Sequence, residues 1–168
     1  MNGADLAALA ARFLDNAAKA AAGTHLLSGP EKLRESLGRI VSPDAAVYCP
    51  GATEIERAVA GLFPNRVADY AGAAVTVEEV FGAVAETGSL VCASEGGRAV
   101  QAGLLPSHHV AIVRRGKIFA TLDGLFSAVA SAPPTNLTLV TGPSRTADIE
   151  LTLAIGVHGP ERLDILVL

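Results

Sequence analysis

Apolar residues recur along this chain with two different periods, and the alternation between them predicts the elements. Residues 4–22 carry Leu6, Leu9, Phe13 and Leu14 on one stripe, with alanine supplying helix propensity, and Gly23 stops the run. Ser28-Gly29-Pro30-Glu31 opens a second helix that turns Leu33, Leu37 and Ile40 to one side. Ala45 to Cys49 reads as a short strand ended by Pro50-Gly51, and Thr53 caps a third helix running to about Gly61 with Ile55 and Val59 inward. A further short strand is expected over 66–70. Beyond it the pattern shortens. Residues 74–77 and 80–84 flank the acidic pair Glu78-Glu79, and Ser89–Ala93, His109–Val113, Asn136–Val140 and Leu163–Leu168 read as buried strands. A loop at 94–97 leads to a short helix near 99–104, and Asp123–Ser131 reads as helix before Pro133-Pro134. Helices first, then strands mixed with short helices, predict an α/β domain whose central sheet is covered on both faces. No repeat or linker divides it, so residues 1–168 are read as a single domain with a helical amino-terminal part over 1–42.

Composition narrows the chemistry. Half of the residues are apolar but only 4% are aromatic, so the core is built from Ala, Val, Leu and Ile. A formal charge of −4 argues against a nucleic-acid binder, which would present a basic face. Small anions remain candidate ligands because local charge can oppose net charge. Cys49 and Cys92 are isolated and strand-embedded, which marks buried thiols and supplies no zinc or iron–sulfur signature. The Ala-rich start is interrupted by Asp5, Arg12, Asp15 and Lys19, so no secretory or membrane-spanning segment is read there and the cytoplasm is the expected location.

Polar chemistry concentrates in two places. Thr141-Gly142-Pro143-Ser144-Arg145-Thr146-Ala147-Asp148-Ile149-Glu150 follows the strand at 136–140 and packs two hydroxyls, a guanidinium and two carboxylates into its last seven residues. The loop leaving the carboxyl end of a strand is the usual ligand seat in α/β proteins. Ser144 or Thr146 could cap a helix there, and such a start is also an anion site. Arg145 offers a bidentate fork for a carboxylate or phosphate. Glu86-Thr87-Gly88-Ser89 joins two strands. It reads either as a backbone nest for an anion or as a plain turn in which Gly88 supplies a positive φ. His158-Gly159-Pro160 is a tight turn whose imidazole could move a proton or simply bond to backbone. His108 and His109 are adjacent, so on a strand they face opposite ways, and no metal site is expected. Arg114-Arg115-Gly116-Lys117 reads as a solvated hairpin turn, and Glu95-Gly96-Gly97-Arg98 as a surface loop or lid.

In order, Glu86-Thr87-Gly88-Ser89, then Leu105-Pro106-Ser107-His108-His109-Val110-Ala111-Ile112-Val113, then Thr141 to Glu150, then Gly156-Val157-His158-Gly159-Pro160, resemble the lactate utilization protein C family, the LUD domain. The resemblance covers roughly residues 74–168, with Ser89 standing where the family pattern has Thr. It implies a three-layer α/β/α fold with a largely parallel central sheet, related to ribose-5-phosphate isomerases and CoA-transferases. It also implies a role in bacterial oxidation of L-lactate to pyruvate beside two iron–sulfur partner proteins, with no cofactor in this chain. The site expected on this basis uses Glu86 or His158 for proton transfer. Thr87, Gly88, Ser89, Ser144, Arg145, Thr146, Asp148 and Glu150 would bind a small carboxylate or phosphate. A homodimer is compatible with it. Two other readings stand beside this one: a non-catalytic assembly protein for the iron–sulfur subunits, and a free-standing isomerase or hydrolase of sugar phosphates or thioesters.

Overall fold

The computed structural model describes residues 3–94, 99–147, 153–155 and 159–168. Its helices are α1 (Gly3–Lys19), α2 (Pro30–Ile40), α3 (Glu54–Ala60) and α4 (Leu122–Val129). Its strands are β1 (Gly23–Leu26), β2 (Val47–Tyr48), β3 (Arg66–Val67), β4 (Val75–Glu79), β5 (Gly82–Val84), β6 (Ser89–Ala93), β7 (His108–Val113), β8 (Ile118–Phe119), β9 (Leu137–Val140), β10 (Arg145–Ala147), β11 (Leu153–Ile155) and β12 (Arg162–Val167). Six of these form a parallel central sheet in the order β1-β12-β7-β4-β2-β3. Helices flank it, as an α/β fold requires. Because both faces are covered, its central strands are near-continuous apolar runs.

The alternation of side chains along each strand sorts the core into two layers. Val110, Ile112, Leu166, Val75 and Val77 face α2 and α3, meeting Leu33, Leu37 and Val59. Ala111, Val113, Leu163, Ile165 and Val167 face the other way and meet Phe13 and Ala17 of α1 together with Ala83, Ala85 and Leu90. Ala83 and Leu90 belong to a second sheet, β8-β5-β6-β9, with Ala85 just past the end of β5, and the outer face of this sheet packs Val84 and Val91 on Leu125 of α4. Strands β10 and β11 pair antiparallel as a separate ribbon.

Several expectations change here. Gly23 ends no helix directly: α1 stops at Lys19, and Gly23 opens the edge strand β1, which pairs with β12. The acidic pair does not interrupt a strand, because β4 runs through Glu78 and Glu79. Arg114–Lys117 is no hairpin: it carries the chain from β7 in the central sheet to β8 in the second. Among the described residues no helix is long and apolar enough to cross a membrane.

Candidate functional site

The turn at 86–89 is a β5–β6 hairpin turn packed on the end of α1. Gly88 has φ +69°, and a Cβ there would collide with the backbone of Asn16 and Ala17. Asn16 donates its side-chain amide to the Ala85 and Glu86 carbonyls, at 2.8 and 3.2 Å. The backbone N–H groups of Glu86 and Gly88 donate to Ala120 and Val84, so they are turned into the fold rather than toward an anion. Glu86 itself accepts the Leu122 N–H through Oε1 at 2.6 Å, at the first turn of α4. Ser89 donates to Thr87 Oγ1 at 2.7 Å and lies 2.6 Å from Thr141 Oγ1. These three hydroxyls tie the hairpin to the start of the 141–150 segment. Ser89→Ala is expected to cost about 1 kcal/mol in a urea unfolding titration, the typical net worth of such a bond.

The 141–150 segment departs from expectation in where it begins. Strand β9 pairs antiparallel with β6 in the second sheet, so its carboxyl end is not at the carboxyl edge of the central sheet. Gly142, at φ +74°, packs on Ala20 just before β1 begins, and the Ser144 N–H donates to the Pro160 carbonyl at 2.8 Å just before β12 begins. Thr141, Ser144, Gly159 and Pro160 therefore gather at the amino edge. Arg145 and Thr146 lie on the β10 backbone. Asp148, Glu150 and His158, and the Glu95–Arg98 loop, lie outside the described residues.

At that same amino edge the structure holds a charge cluster that sequence reasoning missed. Asp164 is on β12, facing α2, with its side chain 6% exposed. Its Oδ1 lies 3.1 Å from His25 Nε2 on β1, and its Oδ2 lies 2.8 Å from His108 Nε2 on β7 and 2.8 Å from Arg162 Nε. Burial alone would raise the carboxyl, but the bonds from His108 and His25 and the charge of Arg162 outweigh it and hold Asp164 at about 2. Gly23 is opposite, with no room for a Cβ beside the Asp164 carboxylate. The arrangement contains an oriented imidazole pair, a guanidinium that is more than half exposed, and a carboxylate fixed in its charged form. The signal in the sequence was one charged residue inside the apolar run Leu163-Asp164-Ile165-Leu166-Val167, since a buried charge demands partners. As expected from their adjacency, His109 faces the other way: it is fully buried, with Nε2 3.0 Å from Glu78 Oε1.

At the carboxyl edge the fully buried Glu56 organises the ends of β2 and β4. Its carboxylate accepts the N–H groups of Ala52, Thr53 and Glu79 at 2.7, 3.1 and 2.8 Å. Thr53 returns the bond to the Glu56 N–H, completing a capping box on α3. A crevice of about 300 Å³ opens beside it, lined by Thr53, Glu78, Glu79, Phe81 and Lys117 among others. Burial pushes the neighbouring Cys49 thiol up to about 11, so it stays protonated and is no nucleophile near neutrality. Among the described residues no group of three or more His, Cys, Asp or Glu side chains could hold a metal ion.

The sequence profile of the LUD domain matches residues 69–168. Lactate utilization protein C of Macrococcus caseolyticus is 34% identical over 108 residues, which is 61% of this chain and 46% of that protein. Its namesake in Deinococcus radiodurans is 39% identical over 90 residues, covering 51% of this chain and 42% of the relative. The chain thus spans about half the length of the curated relatives it matches. The crystal structure of a DUF162 family protein from Deinococcus radiodurans superposes with a TM-score of 0.70 over 96% of this chain and 97% of that one, at 23% identity, which speaks to the fold.

Proposed function

The chain belongs to the LUD domain family, and on that premise we propose that it serves lactate utilization by binding a small 2-hydroxy or 2-oxo acid at the amino edge of its central sheet. The observation that carries the reading is the gathering of His25, His108 and Arg162 around Asp164, beside the contact of Ser144 with Pro160. In it, the guanidinium of Arg162 keeps its outer N–H groups for the ligand carboxylate. Asp164 fixes the Nε2 side of His25, which leaves the other ring nitrogen to exchange a proton with the ligand's 2-oxygen. Ser144, which meets Pro160 at this edge, is a further candidate contact, and Arg145 stays the second carboxylate fork that the sequence suggests. Oxidation of lactate to pyruvate releases two electrons and two protons. In this reading the electrons pass to two iron–sulfur partner proteins, and the protons leave through the histidines.

Calorimetric titration of lactate and pyruvate tests it. Arg162→Gln and His25→Gln are each expected to weaken binding about tenfold or more, since a charge-assisted hydrogen bond is worth ~1.5–3 kcal/mol. Undiminished affinity in both variants would remove the amino edge as the seat, and loss in Arg145→Ala alone would shift it to the ribbon.

One observation favours a second reading, a non-catalytic assembly role. Glu86, Thr87, Gly88 and Ser89 spend their polar groups on α1, α4 and each other. Retained activity of the reconstituted three-protein system in the Arg162 and Arg145 variants would support it.

A further inference from the structure

At the opposite end of the sheet, we infer that the crevice between α2, α3 and the Arg114–Gly116 turn is a binding site for an organic phosphate with an apolar body. The crevice measures about 640 Å³ and lies where β1, β12 and β7, three adjacent strands, end. From β1 the chain leaves into α2 on one face of the sheet, and from β7 it leaves toward β8 on the other. Such divergence opens a cleft at the carboxyl ends of parallel strands.

Its lining is cationic on one side. Arg34, Arg114 and Arg115 border it, against a single carboxylate, Glu54. Each guanidinium is braced by the protein through one edge: Arg34 on the Ala58 carbonyl at 2.7 Å, Arg115 on the Leu27 carbonyl at 2.7 Å, and Arg114 on the Glu79 carboxylate. Bracing fixes the charges while sparing other N–H groups, which lowers the ordering cost of binding. The Arg115 Nε is buried with no hydrogen-bond partner among the described residues. Three forks suit the three acceptor oxygens and double charge of a phosphate monoester better than one carboxylate.

The other side is apolar: Leu27, Leu33, Ile55 and Val59 border the same space. A three-carbon acid would leave most of it empty, whereas cavities of ~300–1,000 Å³ take organic ligands of much greater size. This site is separate from the amino edge. Arg162 at the start of β12 and Leu168 just past its end mark the two sites, ~20 Å apart along the six-residue strand.

The test titrates 1-naphthyl phosphate, inorganic phosphate and 1-naphthol into the whole chain by calorimetry. Naphthyl phosphate is expected to bind at least tenfold more tightly than either fragment. Arg34→Gln and Arg115→Gln are each expected to weaken it about tenfold or more. Arg34 is solvent-exposed, so Arg34→Gln keeps the wild-type Tm and leaves any lactate binding at the other edge unchanged. Equal affinity of wild type and Arg34→Gln for naphthyl phosphate, or naphthol binding as well as its phosphate, overturns the inference, as does the lack of any binding at millimolar concentration.

Discussion

Glu56→Ala is expected to destabilise the domain by about 3–5 kcal/mol, the cost of removing a buried carboxylate on which three backbone N–H groups converge. The carboxylate is fully buried, yet it serves three N–H groups on two segments: Ala52 and Thr53 after β2, and Glu79 at the end of β4. For a chain of this size the loss corresponds to a drop in Tm of roughly 10 °C. Thr53→Ala removes only the reciprocal half of the capping box and is expected to cost about 1 kcal/mol. Thermal melts of the two variants therefore separate the roles. If they coincide, Glu56 acts as a local cap and does not join the strands.

Asp164→Asn is the second large expected effect, about 2–3 kcal/mol near neutral pH, and it carries a pH signature. The Asp164 carboxyl is held at about 2 against an ordinary 3.8. A depressed carboxyl contributes stability that is fully present above its unfolded value and is lost as pH falls through its folded value. The part of the gap between wild type and Asp164→Asn that comes from the carboxyl's own titration should thus stay complete down to about pH 4. It should then shrink by about 2 kcal/mol as the pH approaches 2, following the size of the depression. Urea midpoints measured across that range read it directly. A gap that does not narrow would mean that the histidines and Arg162 draw nothing from the carboxylate's charge. In that case the amino edge would lack the fixed anion on which the proton-handling reading depends.

The four helices were legible because each has a stripe of Leu, Val or Phe at helical spacing, and Thr53 announced its own cap. The opposite facing of His108 and His109 followed from strand parity alone. Strand β1 was not legible: Gly23-Thr24-His25-Leu26 lacks a β-branched apolar run, and only its pairing with β12 makes it a strand. The division into two sheets escaped for a related reason. β6 and β9 have the same apolar character as β7 and β12, and composition does not tell which will pair antiparallel. That ambiguity misplaced the 141–150 segment, whose expected position rested on β9 being a central parallel strand. Asp164 was hidden by distance, since its partner His25 is 139 residues away in sequence.

That long separation reaches into how the protein is made. Strand β1 leaves the ribosome long before its neighbour in the sheet, β12, which comes last in chain order among the described strands. Until β12 emerges, β1 and one side of β7 wait as open edges, and His25 and His108 lack their common anion. Closing so long a loop is slow. The nascent chain should therefore stay sensitive to protease until residues 162–167 are free, and then become resistant in a single step.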